Sequence, residues 1–141
     1  MSTSSLSAKN IQRKWHLIDA KDQVLGRLAS DVAKILMGKN KPIFVPYLDT
    51  GDFVVVTNAS QVKVSGKKSQ TKRYVGHSGY PGGLRVEIFD KMIKRKPEYV
   101  IEHAVLGMLP RNKLGKQMIK KLKVFAGEEH PYKLRIEGGS K

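Results

Sequence analysis

The chain has no cysteine among its 141 residues. That excludes disulfide frameworks, thiolate zinc sites and cysteine nucleophiles together, and it fits a reducing compartment. No apolar run approaches the roughly 18–20 residues that cross a bilayer as a helix. The opening MSTSSLSAKNIQRK lacks the apolar core of a secretory signal. Being Ser-rich and free of acids, it reads as a solvated basic tail rather than as a transit peptide. Acids are scarce throughout: 12 Asp and Glu stand against 27 Lys and Arg, a formal charge of +15. An excess of that size on a small domain concerns its partners rather than its fold. Like charges repel within the compact state, so a bound polyanion is expected. RNA, DNA, heparin-like glycans and anionic membranes are the candidates.

The acids are also unevenly placed. Residues 53–86 contain none, yet hold Lys63, Lys67, Lys68, Lys72, Arg73 and Arg85. Residues 103–127 again contain none. There Arg111, Lys113, Lys116, Lys120, Lys121 and Lys123 alternate with Met108, Leu114, Met118, Ile119, Leu122 and Val124. Such a segment packs its apolar residues on a core and turns its cations outward. An evenly mixed surface would intersperse the signs.

At 40% hydrophobic the chain can build a core. It shows no internal repeat and no interdomain linker, so the reading is a flexible basic tail over 1–14, one domain over 15–137 and a loose end over 138–141. Strands are expected at 15–19, 53–57, 61–65 and 123–125; the run Phe53, Val54, Val55, Val56, Thr57 has the continuous β-branched pattern of a strand buried on both faces. Leu25, Leu28, Val32, Ile35 and Leu36 recur at helical spacing, with Asp22 as a candidate N-cap and Gly38 in the C′ place. A short helix is expected around Ile88, Phe89, Met92 and Ile93. Pro97 opens another at its first position, and Pro110 stops it. Residues 113–121 read as a further amphipathic helix, weakened by Gly115 at about 1 kcal/mol relative to Ala. Strands alternating with helices give an α/β class with a largely parallel sheet covered on both sides.

Taken in order, WHLIDA, LGRLAS, GKNKPIFVPYLDTGDFVVVTNA, VSGKK, HSGYPGG and GMLPRNKLGKQMIKKLKVFAG resemble the ribosomal protein L13 family of the large subunit. The resemblance covers residues 15–130. The chain departs from bacterial relatives in its Ser-rich start and after His130, where Pro-Tyr-Lys-Leu-Arg stands in place of a His/Gln-rich ending. The resemblance implies a three-layer α/β/α domain with a four-stranded, mainly parallel sheet. It implies a structural constituent of the large ribosomal subunit that binds 23S-type rRNA early in assembly, with no catalysis and no cofactor. Large-subunit rRNA and neighbouring ribosomal proteins are then the partners, with no membrane, small-molecule substrate or homo-oligomer. The location is the cytoplasmic ribosome of bacterial type, an organellar ribosome being the alternative.

Residue chemistry agrees with that implication. Lys and Arg neutralise phosphates and release counterions, and a rigid basic surface suits the shape and 2′-OH recognition of RNA. The expected contacts are Lys39, Lys41, Lys67, Lys68, Lys72 and Arg73, then Arg111, Lys113, Lys116, Lys120 and Lys121. The Gly-rich segment that begins at Tyr74 and His77 adds close backbone approach and rings for stacking.

Other motifs fare worse. Gly76-His77-Ser78-Gly79 matches a KH-type GxxG loop, but its flanks read extended rather than helical. Ser65-Gly66-Lys67-Lys68-Ser69 departs from a Walker A loop at both its first Gly and its Ser/Thr position. His16, His77, His103 and His130 are too scattered to suggest a metal set, and His103 reads as structural. Asp49 and Asp52, beside Thr50 and Gly51, read as turn residues rather than an acid/base pair. Asn58-Ala59-Ser60 is a sequon by pattern only. A nucleic-acid-processing enzyme and a membrane-surface binder are the competing classes; neither has a convincing constellation.

Overall fold

A computed structural model describes residues 6–138 of the chain. Three parallel strands form the main sheet: β1 (Trp15–Asp19), β2 (Phe53–Thr57) and β5 (Leu122–Val124), in the order β1-β2-β5. Between the first two lies α1 (Leu25–Met37). Between the last two come α2 (Lys68–Thr71), the antiparallel hairpin β3 (Arg73–His77) and β4 (Leu84–Ile88), then α3 (Phe89–Arg95), α4 (Pro97–Met108) and α5 (Lys113–Ile119). A last helix, α6 (Lys133–Glu137), follows β5.

Strand β2 is central, and Val54, Val55 and Val56 are fully buried. Its two faces have different covers. Val54 and Val56 belong to the main core, with Leu28, Val32 and Leu36 of α1 and Val100, Ile101 and Val105 of α4. The opposite face is roofed by aromatics: Trp15 stacks on Phe53 at 4.4 Å and on Tyr132 at 5.1 Å, and the Arg135 guanidinium sits 5.5 Å from the Trp15 ring centre. The Pro-Tyr-Lys-Leu-Arg segment thus covers the Trp15–Phe53 end of that face, while Leu17 farther along it is 51% exposed.

Helix α1 begins later than the sequence predicts. Val24, not Asp22, is the N-cap, and Asp22 sits in a turn at φ 59°. The cause is a one-residue parallel bridge between Val24 and Lys63, with Leu25 N–H donating to Lys63 O at 2.8 Å and Lys63 N–H to Gln23 O at 2.9 Å. That bridge is all that forms of the strand expected over 61–65. The preceding Asn58 turns the chain at φ 57° into a 3-10 turn at Ala59–Gln61, so the segment meets the entry to α1 and never enters the sheet. Among the described residues the main sheet therefore has three strands, and the expected fourth is not seen. Gly38 does end α1 in the left-handed region, at φ 84°, its N–H donating to Lys34 O and Ile35 O. A Cβ there would overlap Thr50.

Pro97 opens α4 as expected, and β5 lies one residue earlier than predicted. Strand β4 is not among the expected strands, since Ile88 reads from sequence as part of the helix that follows. The alternation Leu84, Val86, Ile88 faces largely outward, with Leu84 62% and Val86 48% exposed, so apolar residues do not mark the core there. Of the outlying segments, 1–5 and 139–141 fall outside the described residues. Arg13 and Lys14, assigned to the tail, are anchored: Arg13 donates to Gly51 O at 2.6 Å and Asp49 O at 2.8 Å, and Lys14 N–H to Asp52 at 3.0 Å.

Candidate nucleic-acid interface

The expected contact residues divide by what holds their charge. Lys41 and Lys121 are internal ties. Lys41 Nζ donates to Gln12 O and Thr50 O, each at 2.9 Å, and pairs with Asp52 at 2.5 Å; an ammonium has only three donors. Lys121 is buried, donating to Leu36 O at 3.1 Å and to Asp49 Oδ1 at 2.5 Å. Burial pulls its pKa below the usual lysine value, against the opposing pull of Asp49. Tyr74 is buried too, packed edge-on against Tyr99 and His103. Lys41 and Lys121 are withdrawn from the outward set because the charge pattern along the sequence does not reveal which cations an acid will claim, and Tyr74 because its ring packs inward.

Asp49 and Asp52 supply those claims. Burial disfavours ionising Asp52, but hydrogen bonds from Lys41, the Lys14 amide and His16 outweigh it and hold its carboxyl below the ordinary range. With Arg13 and Lys121 on Asp49, the two carboxylates bind the N-terminal segment, α1, the loop before β2 and the end of α5 into one unit.

The remaining cations are placed differently. Lys39, Lys67, Lys68, Arg73, Arg111, Lys113, Lys116 and Lys120 are exposed and Lys72 is half-buried. Among the described residues none of these lies within 4.0 Å of a carboxylate. Lys72 instead holds its ammonium 5.8 Å from the Tyr74 ring centre, a cation–π contact that keeps the charge near the surface. His77 is exposed at the end of β3, and its Nδ1 accepts the Gly79 N–H at 2.9 Å, shaping the hairpin turn. The turn takes Gly79 and Gly82 at φ 83° and 72°.

Two surface grooves connect the acid-free stretches. One, of about 460 Å³, is lined by Arg27, Ser65, Lys68 and Lys72 on one side and by His103, Gly107 and Met108 on the other. The next, of about 450 Å³, is lined by His103, Leu106, Gly107, Pro110, Arg111 and Lys116. They share His103 and Gly107, one turn apart on the outward face of α4. Nothing lies within 4 Å of where a Gly107 Cβ would stand. The helix accepts a glycine that costs about 1 kcal/mol relative to Ala, and the passage between the grooves stays open. Segments some forty residues apart in sequence thus present their cations along one path.

Arg27, His103 and Gly107 line these grooves although they are not among the expected contacts. From sequence His103 reads as structural, and no charge run includes Arg27. The Tyr99, His103, Gly107 series at four-residue spacing was the available signal; Tyr99 and His103 stack at 5.4 Å. Among the described residues no group of three acids or histidines is placed to hold a metal, and no helix is long and apolar enough to cross a membrane.

Comparison with known proteins supplies the family. Residues 13–131 match the family described as Ribosomal protein L13. The chain is 57% identical over 130 residues to the large ribosomal subunit protein uL13 of Chlorobium limicola, covering 92% of this chain and 87% of the relative. It is 57% identical over 134 residues to that of Chlorobaculum parvum, covering 94% and 89%. The corresponding protein of Prochlorococcus marinus is 55% identical over 130 residues, covering 92% and 91%. The chain belongs to the ribosomal protein L13 family, structural components of the ribosome and not enzymes.

Proposed function

We propose that the chain binds the rRNA of the large ribosomal subunit, of 23S type, along the path that α4 carries between α2 and α5. It acts as a structural constituent that stabilises the RNA fold early in subunit assembly, and so supports translation. Its place is the bacterial-type ribosome in the cytoplasm, beside other large-subunit proteins. One observation carries the reading: the two acid-free stretches line grooves that share His103 and Gly107, with cations that no carboxylate among the described residues claims. The relatives, each named a large ribosomal subunit protein, direct the choice of polyanion to rRNA.

The physical account is counterion release. Each phosphate neutralised steepens the log–log salt dependence of binding by about 0.9 on duplex or about 0.7 on single strands. The grooves supply a fixed geometry for the cations, which suits recognition of RNA by shape and backbone. Equilibrium binding to a large-subunit rRNA transcript across a salt series tests this. Affinity falls linearly on the log–log plot, and Lys68→Glu with Lys116→Glu lowers both affinity and slope. Salt-independent affinity, or unchanged binding by that double variant, would overturn the proposal.

A further inference from the structure

A third groove lies between the inner face of the β3–β4 hairpin and the α3–α4 junction. It measures about 190 Å³ and is walled by Tyr74, Gly76, Arg85, Arg95, Lys96 and Tyr99. The register pairs Tyr74 with Glu87 and Gly76 with Arg85, so these four share the inward face while Val75 and Val86 face out. Gly76 has no positive φ, and a Cβ there would meet nothing within 4 Å. Neither conformation nor packing calls for glycine at that strand position; its effect is to leave the floor of the groove bare.

The walls combine a ring, a donor and cations. Tyr99 is 40% exposed, stacked on His103 and edge-on to Tyr74 at 6.0 Å. Tyr74 is 7% exposed, and its hydroxyl is buried with no hydrogen-bond partner among the described residues. Burial, and then the nearby Tyr99, push the Tyr74 hydroxyl up to about 12, so it remains a donor. The Arg95 guanidinium forks onto Glu87, with Nε at 3.1 Å and Nη2 at 2.7 Å from its two oxygens; that fixes Arg95 and neutralises the acid. Among the described residues, no carboxylate lies within 4.0 Å of the charged groups of Arg85 and Lys96.

A planar ring bearing an anionic group fits these walls, and a duplex does not fit a groove this small. We infer that the groove takes one unpaired nucleotide of the bound RNA, its base against Tyr99 and its phosphate on Arg85 and Lys96. This rests on the RNA-binding reading above and adds a single-nucleotide contact to it.

The test uses the full chain on a large-subunit rRNA transcript, with ultraviolet cross-linking and a salt series. A nucleotide adduct forms on the Tyr99 peptide and maps to an unpaired position. Tyr99→Leu and Gly76→Val each lower affinity roughly tenfold, the scale of one lost base–aromatic stack, with the salt slope unchanged. Arg85→Ala lowers the slope by about 0.7. If Gly76→Val loses its near-ultraviolet circular dichroism, Tyr99→Leu, on an exposed helix face, decides. Wild-type binding with unaffected variants and no adduct overturns the inference and leaves RNA binding standing. An adduct to a paired base also overturns it. Failure of the wild-type chain to bind RNA removes both.

Discussion

Lys121 Nζ lies 2.5 Å from Asp49 Oδ1, joining residues 72 positions apart. The pair is largely shielded from solvent, with side chains 8% and 11% exposed. Removing one partner strands the other in the interior, at a cost of roughly 3–5 kcal/mol. Arg13, 3.5 Å from the same carboxylate, softens the loss, so Lys121→Met is expected to cost about 3 kcal/mol. The adjacent and exposed Lys120→Met costs less than about 0.5 kcal/mol. Urea unfolding of the two variants separates them, and equal stabilities would refute the assignment of Lys121 to the interior.

Gly115 gives a sharper contrast with sequence reasoning. Helix propensity alone says that Gly115→Ala stabilises α5 by about 1 kcal/mol. In the structure a Cβ at Gly115 would overlap the Pro110 carbonyl oxygen, which is backbone and cannot swing aside. Asn112 caps the helix by accepting the Gly115 N–H at 2.9 Å, which holds the approach tight. Gly115→Ala is therefore expected to destabilise, by about 1–3 kcal/mol as overpacking does. A rise in melting temperature would show that propensity governs instead.

Asp52 sets an acid limit on stability. Its carboxyl, although burial works against ionisation, is held below its ordinary 3.8 by Lys41, the Lys14 amide and His16. As pH falls, the unfolded chain takes up this proton first. The stabilisation is complete above about pH 5 and is lost as pH drops below the unfolded value and through the lowered folded one. Asp52→Asn has less stability at neutral pH and a flatter acid limb. Identical pH profiles for the two proteins would remove Asp52 from the account.

Trp15 is the only tryptophan, so fluorescence reports on the roof over the second sheet face. Tyr132→Ala removes the ring stacked on it at 5.1 Å. An aromatic pair contributes about 0.5–1.5 kcal/mol beyond area burial, so a loss of about 1–2 kcal/mol with a red-shifted emission is expected. Unchanged emission would mean that α6 does not cover Trp15 in solution.

Much of the fold was legible because local rules sufficed. The β-branched run over 53–57, the helical spacing from Leu25 to Leu36, Gly38 and Pro97 each carry their own conformational reason. Features set by distant partners were not legible. The 61–65 segment alternates like a strand, yet the turn at Asn58 and the bridge to Val24 divert it. Lys41, Tyr74 and Lys121 looked like surface groups until Asp52, Tyr99 and Asp49 were placed beside them. The charge pattern identified two basic stretches, but only packing around α4 joins them.

The absence of cysteine allows a direct test of that joining. A single cysteine at Ser65→Cys, on the first groove, or at Leu106→Cys, on the second, carries a tethered iron chelate that cleaves nearby RNA. With the chain bound to large-subunit rRNA, the two positions are predicted to cleave overlapping segments of the folded RNA. Cleavage in separate, non-adjacent regions, or from only one of the two positions, would contradict a single RNA-binding face built around His103 and Gly107.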